Sequence, residues 1–246
     1  MMADNFIIGG VHSCTHCLRY NPELCIELWI ANGDYSKLSP KSIALIETLG
    51  ITVHEEGRHT LTKIYGSESH NGIVLRRKQP KFENLEPFLS SLDKSTNELL
   101  LVLDRIQDPR NFGACLRVAE CAGVTAVMFP KRNSALFGAT LAKASSGAID
   151  SIRMVRVSNI SIALAELKKY GIWIFGADSA SNNSFYDNDF NCSMALVMGN
   201  EGTGLKSIIR KNCDKLVSLP MKGAISSLNI ATAAGIMLFE ANRQRI

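Results

Sequence analysis

The sequence predicts an α/β protein with two domains, and three observations support this prediction. The chain has 246 residues, enough for two modest domains. Short apolar runs alternate with helical patterns, as expected for a sheet covered by helices. The alternation is interrupted once by a polar stretch at 79–97, which contains Pro80 and Pro87 and is interpreted as a linker. We therefore expect one domain over 1–78 and a second over 98–246.

The first domain is predicted as a compact α/β unit. Its clearest helix is Pro40–Leu49, and a shorter one places Cys14 and Cys17 on a common apolar face with Val11 and Leu18. Two cysteines this close could suggest zinc, but no second pair follows at the spacing of a zinc site, so we predict no metal. The predicted strands are Phe6–Ile8, Leu24–Ala31, Ile51–His54 and Gly72–Arg76.

The second domain is predicted as a doubly wound parallel sheet. Its strands are continuous apolar runs, as expected for strands that are buried on both faces. A short helix is also expected around Leu85–Leu92 in the linker. The predicted strands are Leu99–Leu103, Ala126–Phe129, Ile152–Val157, Trp173–Ala177, Ala195–Met198 and Leu216–Leu219, and the helices are Asn111–Ala122, Gly138–Ser145, Ile160–Lys169, Gly204–Cys213 and Ser226–Gln244.

Composition narrows the classes of function. The formal net charge of +4 permits nucleic-acid binding without requiring it. No apolar run approaches the roughly 20 residues of a membrane span. The segment Met1–Asn5 carries no secretion-signal pattern. Seven cysteines, an odd number, favour reduced thiols over a disulfide framework. We therefore expect a cytoplasmic protein with no membrane partner.

Two glycine-punctuated turns in the last third of the chain predict one ligand pocket. Gly199, Asn200 and Glu201 follow one apolar strand, and Leu219 and Met221 end the next. Open α/β sheets bind ligands where such strands end. The glycine order differs from that of a dinucleotide site, and no acid for a ribose stands at Leu219, so the pattern argues against NAD. Glu201 could alternatively stabilise the start of the following helix.

Three residues on the helix expected at 111–122 form one stripe. Arg110 and Arg117 flank Gly113, where a phosphate could accept hydrogen bonds from both guanidinium groups. Glu120 lies on the same stripe, so a surface ion pair with Arg117 is the alternative interpretation. Asn111 is expected to cap this helix, and either Ser226 or Ser227 the last one, which is apolar on nearly all sides.

Three motifs in order resemble those of the SpoU-type (SPOUT) RNA 2′-O-ribose methyltransferases. They are Asn111–Arg117, Met194–Gly204, and Leu216–Met221 followed by Ser226-Ser227-Leu228-Asn229. The resemblance implies a parallel catalytic sheet with a trefoil knot, S-adenosyl-L-methionine as cofactor, and a homodimer. It implies catalytic roles for Arg117, Asn111, Glu201, Ser227 and Asn229, and a cofactor site at Gly199, Asn200, Leu219, Met221 and Leu228.

Within that family the chain is most similar to the branch that methylates a guanosine of large-subunit (23S) rRNA. That likeness implies an N-terminal RNA-binding domain similar to ribosomal protein L30e, although Gly9–His12 stands where relatives usually have Tyr-Gly-x-His. Charge adds RNA-contact candidates at Arg110, Lys131, Arg132 and Arg77. The alternatives are methylation of tRNA or another rRNA site, and a non-catalytic RNA-binding protein of the same fold.

Overall fold

The computed structural model describes residues 5–93 and 95–245, so Met1–Asp4, on which the signal-segment expectation rests, lies outside the described residues. Two compact units form. The first comprises the described residues of Met1–Pro80 together with Leu136–Ser151, and the second comprises Lys81–Ala135 and Ile152–Ile246. The segment Leu136–Ser151 thus packs with the first unit, although the sequence analysis grouped it with the second domain.

The elements follow one another in an alternating α/β order, with short 3-10 turns at Pro22–Leu24, Asp34–Lys37 and Phe185–Asp187. The strands are β1 (Asn5–Gly9), β2 (Cys25–Ala31), β3 (Thr52–Glu56), β4 (Ile73–Lys78), β5 (Leu99–Leu103), β6 (Ala126–Pro130), β7 (Met154–Val157), β8 (Trp173–Ala177), β9 (Met194–Met198) and β10 (Lys215–Val217). The helices are α1 (Val11–Tyr20), α2 (Pro40–Leu49), α3 (Arg58–Tyr65), α4 (Leu85–Ser90), α5 (Pro109–Cys121), α6 (Ala139–Ser145), α7 (Ala148–Ser151), α8 (Ile160–Lys169), α9 (Ser207–Asn212) and α10 (Ile230–Arg243).

The first unit contains a mixed four-stranded sheet in the order β1-β4-β2-β3. Strand β4 is antiparallel to both β1 and β2, whereas β3 is parallel to β2. Helix α1 buries Cys14, Cys17 and Leu18, so the predicted apolar face of this helix is confirmed. Helices α3 and α7 were not predicted. Among the described residues, no group of three or more His, Cys, Asp or Glu side chains could hold a metal ion.

The second unit contains a six-stranded sheet in the order β10-β8-β9-β5-β6-β7, with every pairing parallel. Strands β5, β6 and β9 are buried along their whole length, which confirms the prediction made from their continuous apolar runs. Because all strands run in one direction, their carboxyl ends lie along a single edge of the sheet. That edge is where the predicted site residues follow β5, β6, β9 and β10.

The segment expected to be a linker is partly built into the second unit. Phe88 and Leu89 of α4 are buried in its hydrophobic core. Glu83 accepts a backbone hydrogen bond from Arg156 and forms an ion pair of 2.7 Å with Arg153. The polar composition of this stretch predicted a linker and gave no indication of these contacts. Within the described ranges, no helix is both long and apolar enough to cross a membrane.

Candidate active site

A cleft opens at the carboxyl edge of the parallel sheet in the second unit, with a cavity volume of about 160 Å³. Residues after β8, β9 and β10 form its walls, and the start of α10 forms its far side. The five residues expected to hold a cofactor all line it, together with two of the expected catalytic residues. These seven are Gly199, Asn200, Leu219, Met221, Leu228, Glu201 and Ser227.

The first wall is the turn that follows β9. A side chain at Gly199 would collide with the backbone of Gly204 and Leu205, so only glycine allows the turn to fold back on itself. The side-chain oxygen of Asn200 accepts hydrogen bonds from the amides of Gly202 at 3.1 Å and Thr203 at 3.2 Å. The helix predicted from Gly204 begins only at Ser207, so these amides lie in the turn and not at the start of a helix.

Arg105, which the sequence analysis missed, holds this turn from the end of β5. Its Nη2 donates to the Gly204 carbonyl at 2.9 Å, and its backbone carbonyl accepts from the side-chain Nδ2 of Asn200 at 3.1 Å. The backbone of Arg105 has a φ of 60°, in the left-handed region that non-glycine residues adopt at a cost. Its position directly after a buried strand was the available sequence signal.

The second wall is apolar and follows β10. Leu219 is buried, whereas Met221 and Leu228 are 37% and 42% exposed and face the open cleft. Residues 221–229 have no regular secondary structure and are exposed throughout. An apolar wall opposite a backbone-rich turn suits a ligand with one flat apolar face and polar edges.

Asn229 links the cleft to helix α5. Its side-chain oxygen accepts from the amide of Ala231 at 3.0 Å and so caps α10. Its side-chain nitrogen donates to Oδ1 of Asn111 at 2.8 Å. The expectation that Ser226 or Ser227 caps this helix is therefore wrong, because the helix begins after Asn229.

Helix α5 is capped by Asp108, whose carboxylate accepts from the Arg110 amide at 2.8 Å. Asn111 lies inside the helix, so the expectation that it caps α5 is wrong. This difference leaves the side chain of Asn111 available for its hydrogen bond with Asn229. Helices α5 and α10 pack against each other, which holds the two asparagines in register.

Arg117 and Glu201 are exposed, Arg117 on α5 and Glu201 in the turn after β9. Glu201 lines the cleft, whereas Arg117 lies outside its lining. Burial raises the pKa of the Cys115 thiol to about 12, and the negative charge of Glu201 adds to this shift. The carboxylate of Glu201 is therefore close enough to α5 to act on its side chains electrostatically.

Asp178 is a second carboxylate in the cleft that the sequence analysis missed. It follows β8, lines the cleft beside Ser179, and forms an ion pair of 2.9 Å with Arg210. No acid stands at Leu219, as predicted, but the cleft contains a carboxylate at Asp178, from the end of the neighbouring strand β8. Its signal was present, because the carboxyl end of every parallel strand reaches the same edge.

The charged RNA-contact candidates divide into two groups. Arg110, Lys131 and Arg132 are exposed in the second unit. Arg77, in contrast, is fully buried in the first unit, where its Nη1 lies 2.6 Å from a carboxylate oxygen of Asp150. The prediction that Arg77 contacts RNA is wrong. Strand β4 directs this side chain inward, and the basic sequence Arg76-Arg77-Lys78 gave no indication of that direction.

Fold and cleft together define an α/β protein that binds a small ligand at the carboxyl edge of a parallel sheet. Residues 98–239 match the SpoU rRNA Methylase family, and residues 7–83 match a domain described as RNA 2′-O ribose methyltransferase substrate binding. The chain belongs to the SpoU rRNA Methylase family. The family resemblance stated from the three motifs is thereby confirmed.

Relatives match over the full length. The chain is 39% identical over 246 residues to the 23S rRNA (guanosine-2′-O-)-methyltransferase RlmB of Pasteurella multocida, with 100% of each chain covered. It is 38% identical to the protein of the same name from Vibrio vulnificus, with 98% of each covered. The fold is shared with the AdoMet-bound rRNA methyltransferase from Sinorhizobium meliloti, at a TM-score of 0.82 and 23% identity, over 99% of this chain and 88% of that one.

Proposed function

We propose that this protein transfers a methyl group from S-adenosyl-L-methionine to the ribose 2′-oxygen of a guanosine in 23S rRNA. The observation that carries this proposal is the full-length match, at 39% identity, to a relative named for this reaction. The cleft supports it, because the residues that the motifs designate for cofactor binding lie around one cavity.

The cleft is chemically suited to S-adenosyl-L-methionine. The close backbone approach at Gly199 leaves amides and carbonyls to meet the polar edges of an adenosine. Leu219 and Leu228 provide apolar surface for the adenine, and Asp178 and Glu201 provide acceptors for hydroxyl or ammonium groups. When bound, this cofactor supplies a methyl group already activated on a cationic sulfur, so no metal is needed for the transfer.

The residues around the cleft would position the RNA. We assign Arg117 to the phosphate beside the reacting ribose, where its guanidinium would stabilise negative charge developing on the 2′-oxygen. An arginine keeps its proton at neutral pH, so we do not assign it as the base. The paired asparagines, Asn111 and Asn229, and the hydroxyl of Ser227 would orient the ribose. Arg110, Lys131 and Arg132 would contact neighbouring phosphates.

We further propose a division of labour along the chain, with RNA binding in 1–78, a connection at 79–97 and catalysis in 98–246. The two family matches, at 7–83 and 98–239, support this division. We also propose that the catalytic part, 98–246, contains the trefoil knot that the family resemblance implies. An enzyme that modifies ribosomal RNA would act in the cytoplasm.

We also propose a homodimer with α10 in the interface. One face of α10 packs on α5, while Ile236 and Phe239 on the same helix are 37% and 52% exposed. A second copy covering these side chains would remove an exposed apolar surface from water. Light scattering of the full chain in solution tests this, because a monomer mass at micromolar concentration would exclude it.

The experiment that tests the function is transfer of labelled methyl from S-adenosyl-L-methionine to total RNA without its native modifications. The labelled nucleotide is then mapped. We expect one ribose-methylated guanosine in 23S rRNA. Label in tRNA would support the same methyl transfer but show that tRNA, and not 23S rRNA, is the substrate. No label on any RNA or ribosomal precursor, while the cofactor still binds, would favour a non-catalytic RNA-binding protein.

A further inference from the structure

A second cleft lies within the first unit, between α1 and α2, with a cavity volume of about 320 Å³. One face of α1 forms one wall, and the 3-10 turn Asp34–Lys37 with the start of α2 forms the other. No site assigned above uses it. Its wall on α1 is formed by side chains three and four residues apart, which is the spacing that places residues on one face of a helix: His12, Thr15, His16 and Arg19.

The lining of this cleft is basic. Arg19, Lys37 and Lys41 contribute cationic side chains, and the residues described in its lining include no carboxylate. Lys37 is partly neutralised, because its Nζ lies 2.9 Å from Asp34 and donates to the Asn71 carbonyl. Arg19 and Lys41 make no ion pair with any residue in the described part of the chain. The positive charge available to a ligand therefore comes mainly from these two.

The hydroxyl groups in the cleft are already engaged. Thr15 donates to the Val11 carbonyl at 2.7 Å, and Ser39 caps α2 by accepting from the Ser42 amide at 3.1 Å. The first turn of α1 has no side-chain cap, so its positive end adds to the field of the cations. This combination attracts anions through charge, without dedicated hydroxyl donors.

An exposed aromatic ring stands beside the cations. Tyr20, at the end of α1, is 46% exposed. The Arg19 guanidinium lies 5.2 Å from its ring centroid, and the ring of His16 lies 5.5 Å away. Exposed aromatic rings next to cationic side chains are typical of surfaces that bind single-stranded nucleic acid, since a base stacks while the phosphates are neutralised.

We propose that the cleft between α1 and α2 binds the phosphate backbone of an unpaired segment of the substrate RNA, with Arg19 and Lys41 contacting phosphates and Tyr20 stacking on a base. The proposal rests on the proposed function, because the residues lie in the part of the chain that matches a substrate-binding domain. An acidic protein segment would use the same charges, but it would leave the exposed Tyr20 without a base to stack on.

The test uses the double variant Arg19→Gln/Lys41→Gln in the full chain. The matched control is Lys169→Gln/Lys211→Gln, which removes two exposed lysines from α8 and α9 of the second unit. Binding to unmodified 23S rRNA is measured across a salt series. We expect the test variant to bind at least roughly tenfold more weakly at fixed salt, since each charge-assisted contact contributes substantially. Its slope of log affinity against log salt should fall by about 1.4.

Two further readouts separate this proposal from the proposed function. Cofactor affinity measured by calorimetry and turnover at saturating RNA should match those of the unchanged protein, because neither residue lines the cofactor cleft. Unchanged RNA affinity and salt slope in the test variant would overturn the proposal, as would an equal loss in the control. Absence of methyl transfer by the unchanged protein would refute the proposed function, while the salt series would still decide whether the cleft binds RNA.

Discussion

In the first unit, the guanidinium of Arg77 is fully buried and bonded to Asp150, whereas in the second unit Arg117 stands exposed on α5. The buried pair joins β4 to α7, and Asn21 donates to the same carboxylate oxygen at 3.2 Å. On the same helix as Arg117, Asn111 accepts a hydrogen bond of 2.8 Å from the side chain of Asn229. The same residue type is enclosed and structural in one unit and accessible in the other.

This difference shows that solvent access, more than residue type, decides whether a charge can serve a substrate. A buried charge is retained only when a partner compensates for lost hydration. An exposed guanidinium keeps its hydration until a phosphate or carboxylate replaces the water.

The largest effect is expected when one member of the buried pair is removed. Arg77→Met should lower the free energy of unfolding by about 3–5 kcal/mol at neutral pH, because it leaves Asp150 buried and uncompensated. Asp150→Asn should lower the free energy of unfolding by a similar amount, because it leaves the cation of Arg77 buried without its carboxylate partner. The double variant Arg77→Met/Asp150→Leu should lose much less, since it removes both charges. Urea denaturation of the unchanged protein, the two single variants and the double variant measures these free energies as a double-mutant cycle.

The pH dependence distinguishes the two single variants. Burial raises the pKa of Asp150, and Arg77 and Asn21 oppose that shift. Without Arg77 the pKa rises further, so the protonated acid stabilises the fold at low pH and that contribution is lost as pH rises through the folded-state pKa. Arg77→Met should therefore be less destabilised at pH 5 than at pH 8. Asp150→Asn should lack this difference, because it removes the carboxyl whose pKa is raised; equal profiles would contradict the assignment.

On the exposed side, Arg117→Ala should lower turnover by about 10²–10³-fold through loss of the donor to the developing oxyanion. Cofactor affinity should stay unchanged, because Arg117 does not line the cleft. Single-turnover methyl transfer and calorimetry measure the two quantities. Arg117→Lys serves as the control, since it keeps the charge but loses the planar fork and should recover only part of the activity. Turnover of Arg117→Ala within a few-fold of the unchanged protein would show that Arg117 does not stabilise the developing oxyanion.

A smaller effect is expected from the apolar wall of the cleft. Leu228→Asn should weaken binding of S-adenosyl-L-methionine by roughly five- to tenfold, since a half-buried leucine contributes part of its ~1.5–3 kcal/mol burial energy. Ile225→Asn is the matched control, because Ile225 lies in the same loop, is 77% exposed, and does not line the cleft. Calorimetry that finds the same loss in both variants would show that the apolar wall has been misplaced.

Sequence reasoning placed the elements of the sheet well, because strands buried on both faces leave continuous apolar runs. It also found the turn at Gly199 and the wall at Leu219, since both follow or end apolar runs in the sequence. It failed at Arg77, because the direction of a side chain depends on which face of β4 the α7 helix covers. That helix lies about 70 residues further along the chain, and no local pattern connects the two.

The remaining differences have local physical causes. Asp108 competes with Asn111 for the cap of α5, and both residue types are good caps, so spacing alone did not decide between them. Asn229 likewise displaces two serines. In each case the structure uses the asparagines to join α5 to α10, a tertiary contact across 118 positions. The position of Arg105 after β5 was a sequence signal, but its bonds to Gly204 and Asn200 form only in the folded chain.

Arg105 gives the smallest expected effect, in which strain and contact oppose each other. Arg105→Gly should relieve the left-handed backbone while it loses the bond to the Gly204 carbonyl and the 3.0 Å ion pair with Asp104, so the small effect to measure is its difference in unfolding free energy from Arg105→Ala, which loses the same contacts. Arg105→Ala loses the same bond and keeps the strain, so it should be about 1–2 kcal/mol less stable than the glycine variant. Both variants should bind S-adenosyl-L-methionine a few-fold more weakly, since the turn from Asn200 to Gly204 loses its brace. Equal stability of the two variants would show that the backbone of Arg105 carries no strain, and unchanged cofactor affinity in both would show that Asn200 alone holds the turn.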